Sequence, residues 1–445
     1  MKTHVIGLLS LMFYLSGCVP AATQESIVPT IAVTFPPTLN ISSTTTIPSP
    51  TLFADSPPSG LVVAYVAQDA LWIWKQNNLQ LLTRQQNIST PLISDDGNWL
   101  VFQQRRNSSD GSISAEELWA IQTDGKDLHR LLGSDDLAVL TGEEAILLID
   151  DIGWLPGRHE LLFNAEKITE GPPGSWPLFD LYSLDLSGNV TRLADSGQGG
   201  RFTPSPNGLS VAIATATRIG VLDLESGKQR TLLEFEPFSL ASDSGVPTPE
   251  VVWDPQSQFV MTSLLPQKLY YPEVYAGEPT QVWRLHVNGQ IELIAELQPF
   301  APSASIVFAP NLQYFFYLHN SCFDGMGMLY VYNLASGEEY PLYCVWKSPQ
   351  WAPDSERFIY WLENLWQLGN IFDATSQPLD FLNGPASPNV YSSRPLAWIN
   401  DKYFLINLSS RDYCTLNVAT LQGVVVEIAR ALAEACPEAD FSISE

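Results

Sequence analysis

From about residue 60 onward, short apolar stretches alternate with turns rich in Asp, Asn, Ser and Gly. In the clearest unit, an apolar stretch ends at Ile93, turns through Ser-Asp-Asp-Gly at 94–97 and resumes at Trp99. A second hairpin, at 117–132, turns through Thr-Asp-Gly. Apolar positions that alternate between tight turns of this kind predict antiparallel strands joined by hairpins.

This two-hairpin unit is repeated along the chain. Copies of its first turn and the strand after it are LPGRHELLF (155–163), SPNGLSVAI (205–213), DPQSQFVM (254–261), APNLQYFFY (309–317), APDSERFIY (352–360) and INDKYFLI (399–406). The second hairpin follows most of them, as in RIGVLDLESG (218–227) and QVWRLHVNG (281–289). Successive first turns are about 43 to 60 residues apart, a spacing typical of a four-stranded repeat.

The repeat resembles the β-propeller unit of TolB-like and WD-repeat-like proteins, in which a Ser-Pro-Asp-Gly turn precedes an apolar strand. Ser94-Asp95-Asp96-Gly97 and Ser205-Pro206-Asn207-Gly208 come nearest to that turn. The resemblance covers roughly residues 60–445. It implies an all-β fold, a β-propeller of four-stranded antiparallel blades around a central channel.

The two ends of the repeat region predict how the ring closes. Residues 61–83 contain three strands without an innermost one, and residues 439–445 look like an innermost strand without the other three. Joining them gives a composite blade beside seven complete ones, so we predict eight blades. The alternative is seven blades, in which 61–83 only adds strands to the last one. Shared closure of this kind also protects sheet edges.

The N-terminus has the layout of an export signal. Lys2 precedes an almost unbroken apolar run from Val5 to Leu15, too short to span a bilayer. The run leads into Leu15-Ser16-Gly17-Cys18, which resembles the lipobox of bacterial lipoproteins. That resemblance implies cleavage before Cys18 and acylation of its thiol, and several acyl chains anchor a protein stably. The alternative is an ordinary cleaved signal in which Cys18 is incidental.

Three segments are therefore expected. Residues 1–17 are a lipoprotein signal peptide, 18–59 a lipid-anchored linker and 60–445 the β-propeller domain. The linker is rich in Thr, Pro and Ser, a composition that buries too little surface to fold. We expect a protein exported and lipid-anchored to a bacterial membrane, facing outside the cytoplasm.

The charge balance limits the partners. There are 22 Lys and Arg against 48 Asp and Glu, a net charge of −26. So acidic a chain repels phosphate, which argues against nucleic acid as a partner and against docking on anionic lipid through a basic patch. The remaining candidates are an envelope protein or peptide, bound by what we expect to be a monomer.

The cysteines support the exported location. Besides Cys18 there are four, namely Cys322, Cys344, Cys414 and Cys436. Disulfides Cys322–Cys344 and Cys414–Cys436 are the simplest of three possible pairings, and an oxidising compartment would keep them closed. A zinc site is the alternative, but the chain has no Cys-x-x-Cys and only five His.

Sequence motifs of catalysis are scarce. The chain has no Gly-x-Ser-x-Gly nucleophile elbow and no phosphate-binding loop, and we predict no catalytic residues. His319 ends a second strand beside a glycine-containing loop. It belongs either to a binding site or to a loop held by the neighbouring disulfide.

Carboxylates suggest a weak calcium site. Paired acids, among them Asp150-Asp151, are frequent in the first two repeats. The segment around Asp110, with Glu116 and Glu117, has oxygen donors and glycine but lacks the spacing of an EF-hand loop. It is either a calcium site or a set of solvated turns, and no other cofactor is expected.

Exposed aromatic residues are the other candidate contacts. Trp176, Tyr270, Tyr271 and Tyr275 fall in insertions between second and third strands. Such residues either contact a protein or a carbohydrate or fold back onto their own blade. The insertions expected to make contacts are 103–116, 134–149, 165–178 and 264–280.

Together these features predict a binding or scaffold module of the cell envelope, by analogy with other propellers. One alternative is a hydrolase or lyase acting on glycans or peptides, which acidic residues converging on the channel would favour. Another is a sensor that binds calcium or a small ligand.

Overall fold

The computed structural model describes residues 57–443, apart from gaps at 110–111, 144, 170–173, 238, 241–247, 266–267, 270–278, 298–305, 320–326, 346–348, 363–364, 373–375, 380–389 and 433–435. In this part of the chain the strands form eight antiparallel blades. None of the helical segments described there has both the length and the apolar character needed to cross a membrane.

The first half of the chain forms the first four blades. Blade 1 begins with β1 (Leu61–Ala67), β2 (Ala70–Lys75) and β3 (Asn78–Arg84). Blade 2 is β4 (Ile88–Ile93), β5 (Trp99–Asn107), β6 (Ile113–Gln122) and β7 (His129–Gly133), followed by helix α1 (Ser134–Thr141). Blade 3 is β8 (Leu147–Trp154), β9 (Glu160–Ile168), β10 (Ser175–Pro177), β11 (Leu181–Asp185) and β12 (Val190–Ala194). Blade 4 is β13 (Arg201–Pro204), β14 (Ser210–Ala214), β15 (Arg218–Asp223) and β16 (Gln229–Glu234).

The second half completes the ring. A short parallel pair, β17 (Ser239–Leu240) and β20 (Lys268–Leu269), flanks blade 5, which is β18 (Val251–Trp253), β19 (Phe259–Leu264), β21 (Thr280–His286) and β22 (Ile291–Leu297). Blade 6 is β23 (Val307–Phe308), β24 (Tyr314–His319), β25 (Gly327–Asn333) and β26 (Glu339–Val345). Blade 7 is β27 (Gln350–Trp351), β28 (Arg357–Leu362), β29 (Leu365–Asn370) and β30 (Ser376–Pro378). Blade 8 is β31 (Val390–Trp398), β32 (Tyr403–Ser410), β33 (Tyr413–Thr420) and β34 (Val425–Leu432), and β35 (Glu438–Ile443) follows.

The last strand closes the ring inside blade 1. β35 pairs antiparallel with β1, so that Leu61 faces Ile443 and Val66 faces Glu438. The resulting sheet has the order β3-β2-β1-β35. This confirms the composite blade and the count of eight, and it excludes the seven-blade alternative.

Each blade packs on the next through an apolar cluster. Eight such clusters are found in the described part of the chain, one at each junction between neighbouring blades. At the junction of blades 6 and 7, for example, Phe316 and Trp351 stack with centroids 3.9 Å apart. The core is thus divided among the junctions of a closed ring. Successive side chains of a strand point to opposite faces of the sheet, and each face of a blade packs against a neighbouring blade.

Tryptophans at the ends of innermost strands tie the blades together near the axis. Trp253 Nε1 donates to Thr203 O at 2.9 Å, and Trp351 Nε1 donates to Val307 O at 3.0 Å. Trp154 Nε1 reaches Leu92 O in the same way at 3.3 Å. Each bond joins the first strand of one blade to the first strand of the blade before it.

The repeated turn is held by its own side chains. In blade 4, Ser205 Oγ donates to Asn207 Oδ1 at 2.7 Å and accepts from Ser210 N at 3.0 Å. Gly208 has φ +66°, and a Cβ there would collide with the carbonyl oxygen of Pro156 in blade 3. Glycine is therefore needed both by the turn and by the approach of the neighbouring blade.

Two expected insertions turn out to be regular structure. Most of 103–116 lies in a long hairpin, in which β5 runs to Asn107 and β6 begins at Ile113. Most of 134–149 is α1 and the start of β8, and Leu137 of the helix is buried against blades 2 and 3. The prediction of open loops was wrong there because alternation and helical periodicity are hard to recognise in segments this short.

Candidate functional site at the channel mouth

The direction of the strands sorts the connections into two mouths of the channel. In a four-stranded antiparallel blade, the second-to-third connection and the connection to the next blade lie at the same end. We call this end the insertion mouth; it includes 195–200, 215–217 and the described residues of 108–112 and 134–146. The repeated tight turns, such as 205–209, lie at the other end, the turn mouth.

A β-bulge in blade 3 points two carboxylates at the channel. In the β8–β9 ladder Ile149 faces Ala165 and Ile152 faces Phe163, so Asp150 and Asp151 together oppose Asn164. Both aspartates are exposed although β8 is the innermost strand of its blade. Bulges increase local twist and redirect side chains in this way.

Asn164 fixes the neighbouring backbone. It is 4% exposed, and its Nδ2 donates to Asp180 O at 3.1 Å and to Gly200 O at 2.7 Å. A Cβ on Gly199 would collide with Asp180 O, and one on Gly200 would collide with Ala214 O. The two glycines therefore let the connection between blades 3 and 4 pass close to the backbone of Asp180 and of Ala214 before β13 begins at Arg201.

Asp180 is a third carboxylate in this region. It is 1% exposed, and its Oδ1 accepts from Ala165 N at 2.9 Å. Phe179, just before it, has φ +50°, a conformation that is unusual for a bulky residue. Backbone strain of this kind is often found at functional sites.

A cavity of about 310 Å³ opens between the innermost strands of blades 3, 4 and 5. Its lining residues are Asp151, Arg201, Phe202, Thr203, Ala214, Pro249, Glu250, Val251, Val252 and Trp253. Asp151, Arg201 and Glu250 are its charged groups. We refer to this cavity, with the adjoining Asp150, Asn164 and Asp180, as the channel site.

The electrostatics of the channel site favour protonation of its carboxylates. Partial desolvation inside the channel raises the pKa of Asp150 to about 6, although its side chain is exposed, and the negative charges of Glu166, Asp151 and Asp180 add to the effect. Burial also raises the pKa of Asp151, although the Arg201 guanidinium opposes this, and it raises the pKa of Asp180. These are the desolvation and like-charge effects expected of crowded acids.

The predicted calcium ligands lie elsewhere and have other partners. Glu116 is 1% exposed, forms an ion pair with Arg105 at 2.8 Å and accepts from Ile149 N at 2.7 Å. Glu117 forms an ion pair with Arg106 at 2.8 Å, and Asp110 lies outside the described residues. Among the residues that the structure describes, no group of three His, Cys, Asp or Glu side chains could hold a metal ion. Calcium binding stays a prediction.

The other predicted site residues are not brought together. Trp176 on β10 is 53% exposed, whereas Tyr270, Tyr271 and Tyr275 lie outside the described residues. His319 ends β24 in blade 6, half-buried, with its ring 6.1 Å from that of Tyr330. None of the four described calcium and aromatic candidates lines the channel site: Glu116, Glu117, Trp176 and His319.

One predicted disulfide is confirmed. Cys414 in β33 and Cys436, two residues before β35, are bonded, with Cα atoms 5.1 Å apart. Cys344 is also in a disulfide. Its predicted partner Cys322 lies outside the described residues, as does the predicted lipidation site Cys18.

Sequence reasoning missed most of the channel site. The Asp150-Asp151 pair was recognised only as part of an acidic cluster, and Asn164, Asp180 and Arg201 gave no motif. The Gly199-Gly200 pair directly before Arg201 is the signal that could have indicated a close backbone approach at this position.

Comparisons with known proteins find distant structural similarity and no family. No model of a protein family matches the chain, and no curated protein matches it. Similar solved structures include the Pyrococcus horikoshii acylaminoacyl peptidase, with 13% identity, a TM-score of 0.44 and coverage of 64% of this chain and 46% of that one. An oligogalacturonate lyase in complex with manganese has 13% identity, a TM-score of 0.42 and coverage of 65% and 78%. A prolyl endopeptidase has 15% identity, a TM-score of 0.41 and coverage of 62% and 42%.

This chain thus spans a little under half the length of the peptidase it matches. By their names these structures are peptidases and a lyase. What the fold and the site define is a class: an eight-bladed β-propeller with a charged cavity at its insertion mouth.

Proposed function

We propose that the protein is a membrane-anchored propeller outside the cytoplasm that binds an envelope protein or peptide at its insertion mouth. The channel site carries this proposal, because three blades contribute to one charged cavity at the mouth where the longer connections lie. Concave sites with a few convergent polar groups are typical of ligand binding. The lipobox resemblance at Cys18 supports the anchor and the location.

An enzyme is the second candidate, and a specific observation favours it. Asp150, whose pKa is raised to about 6, stands beside other carboxylates, and its neighbour Asp151 interacts with Arg201. A carboxyl group titrating near neutrality is suited to general acid–base catalysis, and an arginine can hold an anionic substrate group. This chemistry would fit a hydrolase or lyase acting on a glycan or peptide.

A pull-down tests the binding function. The full chain, purified in detergent, is incubated with solubilised envelope of its own organism at low and moderate salt, and bound proteins are identified by mass spectrometry. We expect a stoichiometric partner that survives moderate salt and is lost with Asp151→Asn. Glu225→Gln is the matched control, since Glu225 is exposed in a turn at the opposite mouth. Capture of no partner, or a partner that Asp151→Asn leaves unaffected, would contradict binding at this site.

Turnover tests the enzyme. A library of acidic glycans and peptides is incubated with the protein and with Asp150→Asn, and products are detected by mass spectrometry. Product formed by the wild type and lost in the variant would favour the enzyme over the binding module.

A further inference from the structure

The strand that closes the ring is tied to blade 8 by a covalent bond at the insertion mouth. Cys436 lies two residues before β35, in the connection between blades 8 and 1. Cys414 lies at the start of β33, just after the connection from β32. Both connections belong to the insertion mouth, so the disulfide fixes the point from which β35 enters blade 1.

The other contacts that hold β35 in place are non-covalent. Asn407 Nδ2 in blade 8 donates to Pro437 O at 3.3 Å. Asp440 accepts from Ile93 N in blade 2 at 2.8 Å, and the whole of β35 pairs with β1. Unlike these contacts, the disulfide is opened by a redox reaction.

The two cysteines of this bond differ in their access to solvent. Cys414 is 0% exposed, whereas Cys436 is exposed. A disulfide is opened when a thiolate attacks one of its sulfur atoms, and access decides which sulfur is attacked. A thiol in solution therefore reaches Cys436, and Cys414 becomes the leaving group inside the protein.

A hydroxyl group lies beside the sulfur that leaves. Ser409 faces Cys414 in the β32–β33 ladder, and its Oγ donates to Cys414 Sγ at 3.3 Å. The same Oγ lies 3.3 Å from Cys436 Sγ. A hydrogen bond to a charged group favours its charged form, so Ser409 stabilises a thiolate on Cys414 and makes it a better leaving group.

We propose that the Cys414–Cys436 disulfide is a redox switch of ring closure, opened by a dithiol reductant. A thiolate of the reductant bonds Cys436 Sγ, the disulfide breaks, and its electron pair goes to Cys414 Sγ, which takes up a proton. The second thiol of the reductant then displaces Cys436. The reductant is oxidised to a disulfide, two cysteine thiols remain, and non-covalent contacts hold β35.

The point of attack is tested with glutathione, a monothiol that stops at the mixed disulfide. The oxidised full chain, purified in detergent, is incubated with glutathione without denaturant, free thiols are alkylated, and peptides are analysed by mass spectrometry. We expect glutathione on Cys436 and the alkyl group on Cys414. Glutathione on Cys414, or no reaction until the protein is unfolded, would overturn the proposal.

The role of Ser409 as a positioning residue is tested by the rate at which dithiothreitol opens the bond. Ser409→Ala should slow opening about threefold or more, because the leaving thiolate loses a donor. Ser409→Thr keeps the hydroxyl and should restore the rate. Ser226→Ala is the control, since Ser226 is exposed in a turn at the opposite mouth, and melts of the oxidised variants check the fold. Equal rates in Ser409→Ala and the wild type would overturn this role.

Hydrogen exchange tests the effect on ring closure. After reduction the amide of Ile93, which is bonded to Asp440, should exchange about tenfold faster, because β35 detaches more often. The amides of β14 in blade 4 should not change. Cys414→Ser/Cys436→Ser should match the reduced protein while the disulfide of Cys344 stays closed. Unchanged exchange at Ile93 would overturn the switch. Faster exchange in β14 as well would mean that the whole ring unfolds, which also overturns it.

Discussion

Blades 1 and 3 both carry acidic residues on their innermost strands, but they use them differently. In blade 1, Asp440 and Glu438 of β35 accept backbone N–H groups of β4, from Ile93 and Thr90 respectively, each at 2.8 Å. In blade 3, a bulge exposes Asp150 and Asp151 to the channel instead. Carboxylates on an innermost strand therefore bind blade to blade where the next blade offers backbone N–H donors. Where it offers none, the carboxylates remain available to a ligand.

The largest expected effect concerns how β35 is held in blade 1. The Cys414–Cys436 disulfide ties the segment before β35 to β33 of blade 8. Replacing both cysteines with serine should lower the free energy of unfolding by about 2–4 kcal/mol, because the unfolded chain loses a cross-link. Urea unfolding under oxidising conditions measures this. A variant as stable as the wild type would show that strand pairing alone holds β35.

The next effect tests the fastening role of Asp440. Asp440→Ala removes the acceptor of Ile93 N and should cost about 2 kcal/mol, the range for a charged hydrogen bond. Asp440→Asn keeps an oxygen acceptor and should cost less than half as much. Both are measured by urea unfolding. Equal losses for the two variants would mean that the charge of Asp440 matters rather than its hydrogen bond.

In blade 3 removing a carboxylate should stabilise the protein, although burial raises the pKa of Asp440 as well as that of Asp150. Partial desolvation and like charges raise the pKa of Asp150 to about 6 from its ordinary value of 3.8. Folding therefore favours the protonated acid, and stability falls as pH rises from about 4 to about 6. Asp150→Asn removes that loss and should stabilise the protein at pH 7 by about 1 kcal/mol after screening of this exposed group. Little or no difference is expected at pH 4. Thermal melts of both proteins across this range measure the effect, and destabilisation at pH 7 would contradict it.

The smallest effect lies at the turn mouth of blades 2 and 3. Both ring nitrogens of His129 face carbonyl oxygens, those of Asp127 and Leu186, each at 2.8 Å. Burial lowers the pKa of His129, but these two acceptors raise it more, because only the imidazolium can donate to both. The stabilisation should be complete below pH 6.5 and be lost as pH rises through the raised pKa. His129→Gln should abolish this step in a pH series of melts.

The repeated features of the molecule could be predicted from the sequence because they depend on local chemistry. The turn before Ser210 needs Ser205, Asn207 and Gly208 within a few residues of each other, so the motif can be recognised in the sequence. The spacing of these turns then indicates a four-stranded blade. The incomplete sets of strands at 61–83 and 439–445 indicate how the ring closes. The indole bonds of Trp253 and Trp351 were missed, because each joins residues about fifty positions apart.

By itself, the sequence determined the all-β class, the eight blades, the composite closure and the Cys414–Cys436 pair, and it predicted an exported, lipid-anchored chain. Only the tertiary structure decided which acidic residues lie close together in the channel site. Asp150 and Arg201 lie on β8 and β13, whereas Asp180 and Glu250 directly precede β11 and β18. Their approach depends on one bulge and on the close passage of Gly199 and Gly200. A register shift of one residue redirects a side chain without leaving a pattern in the sequence, and for that reason the channel site became visible only in the folded ring.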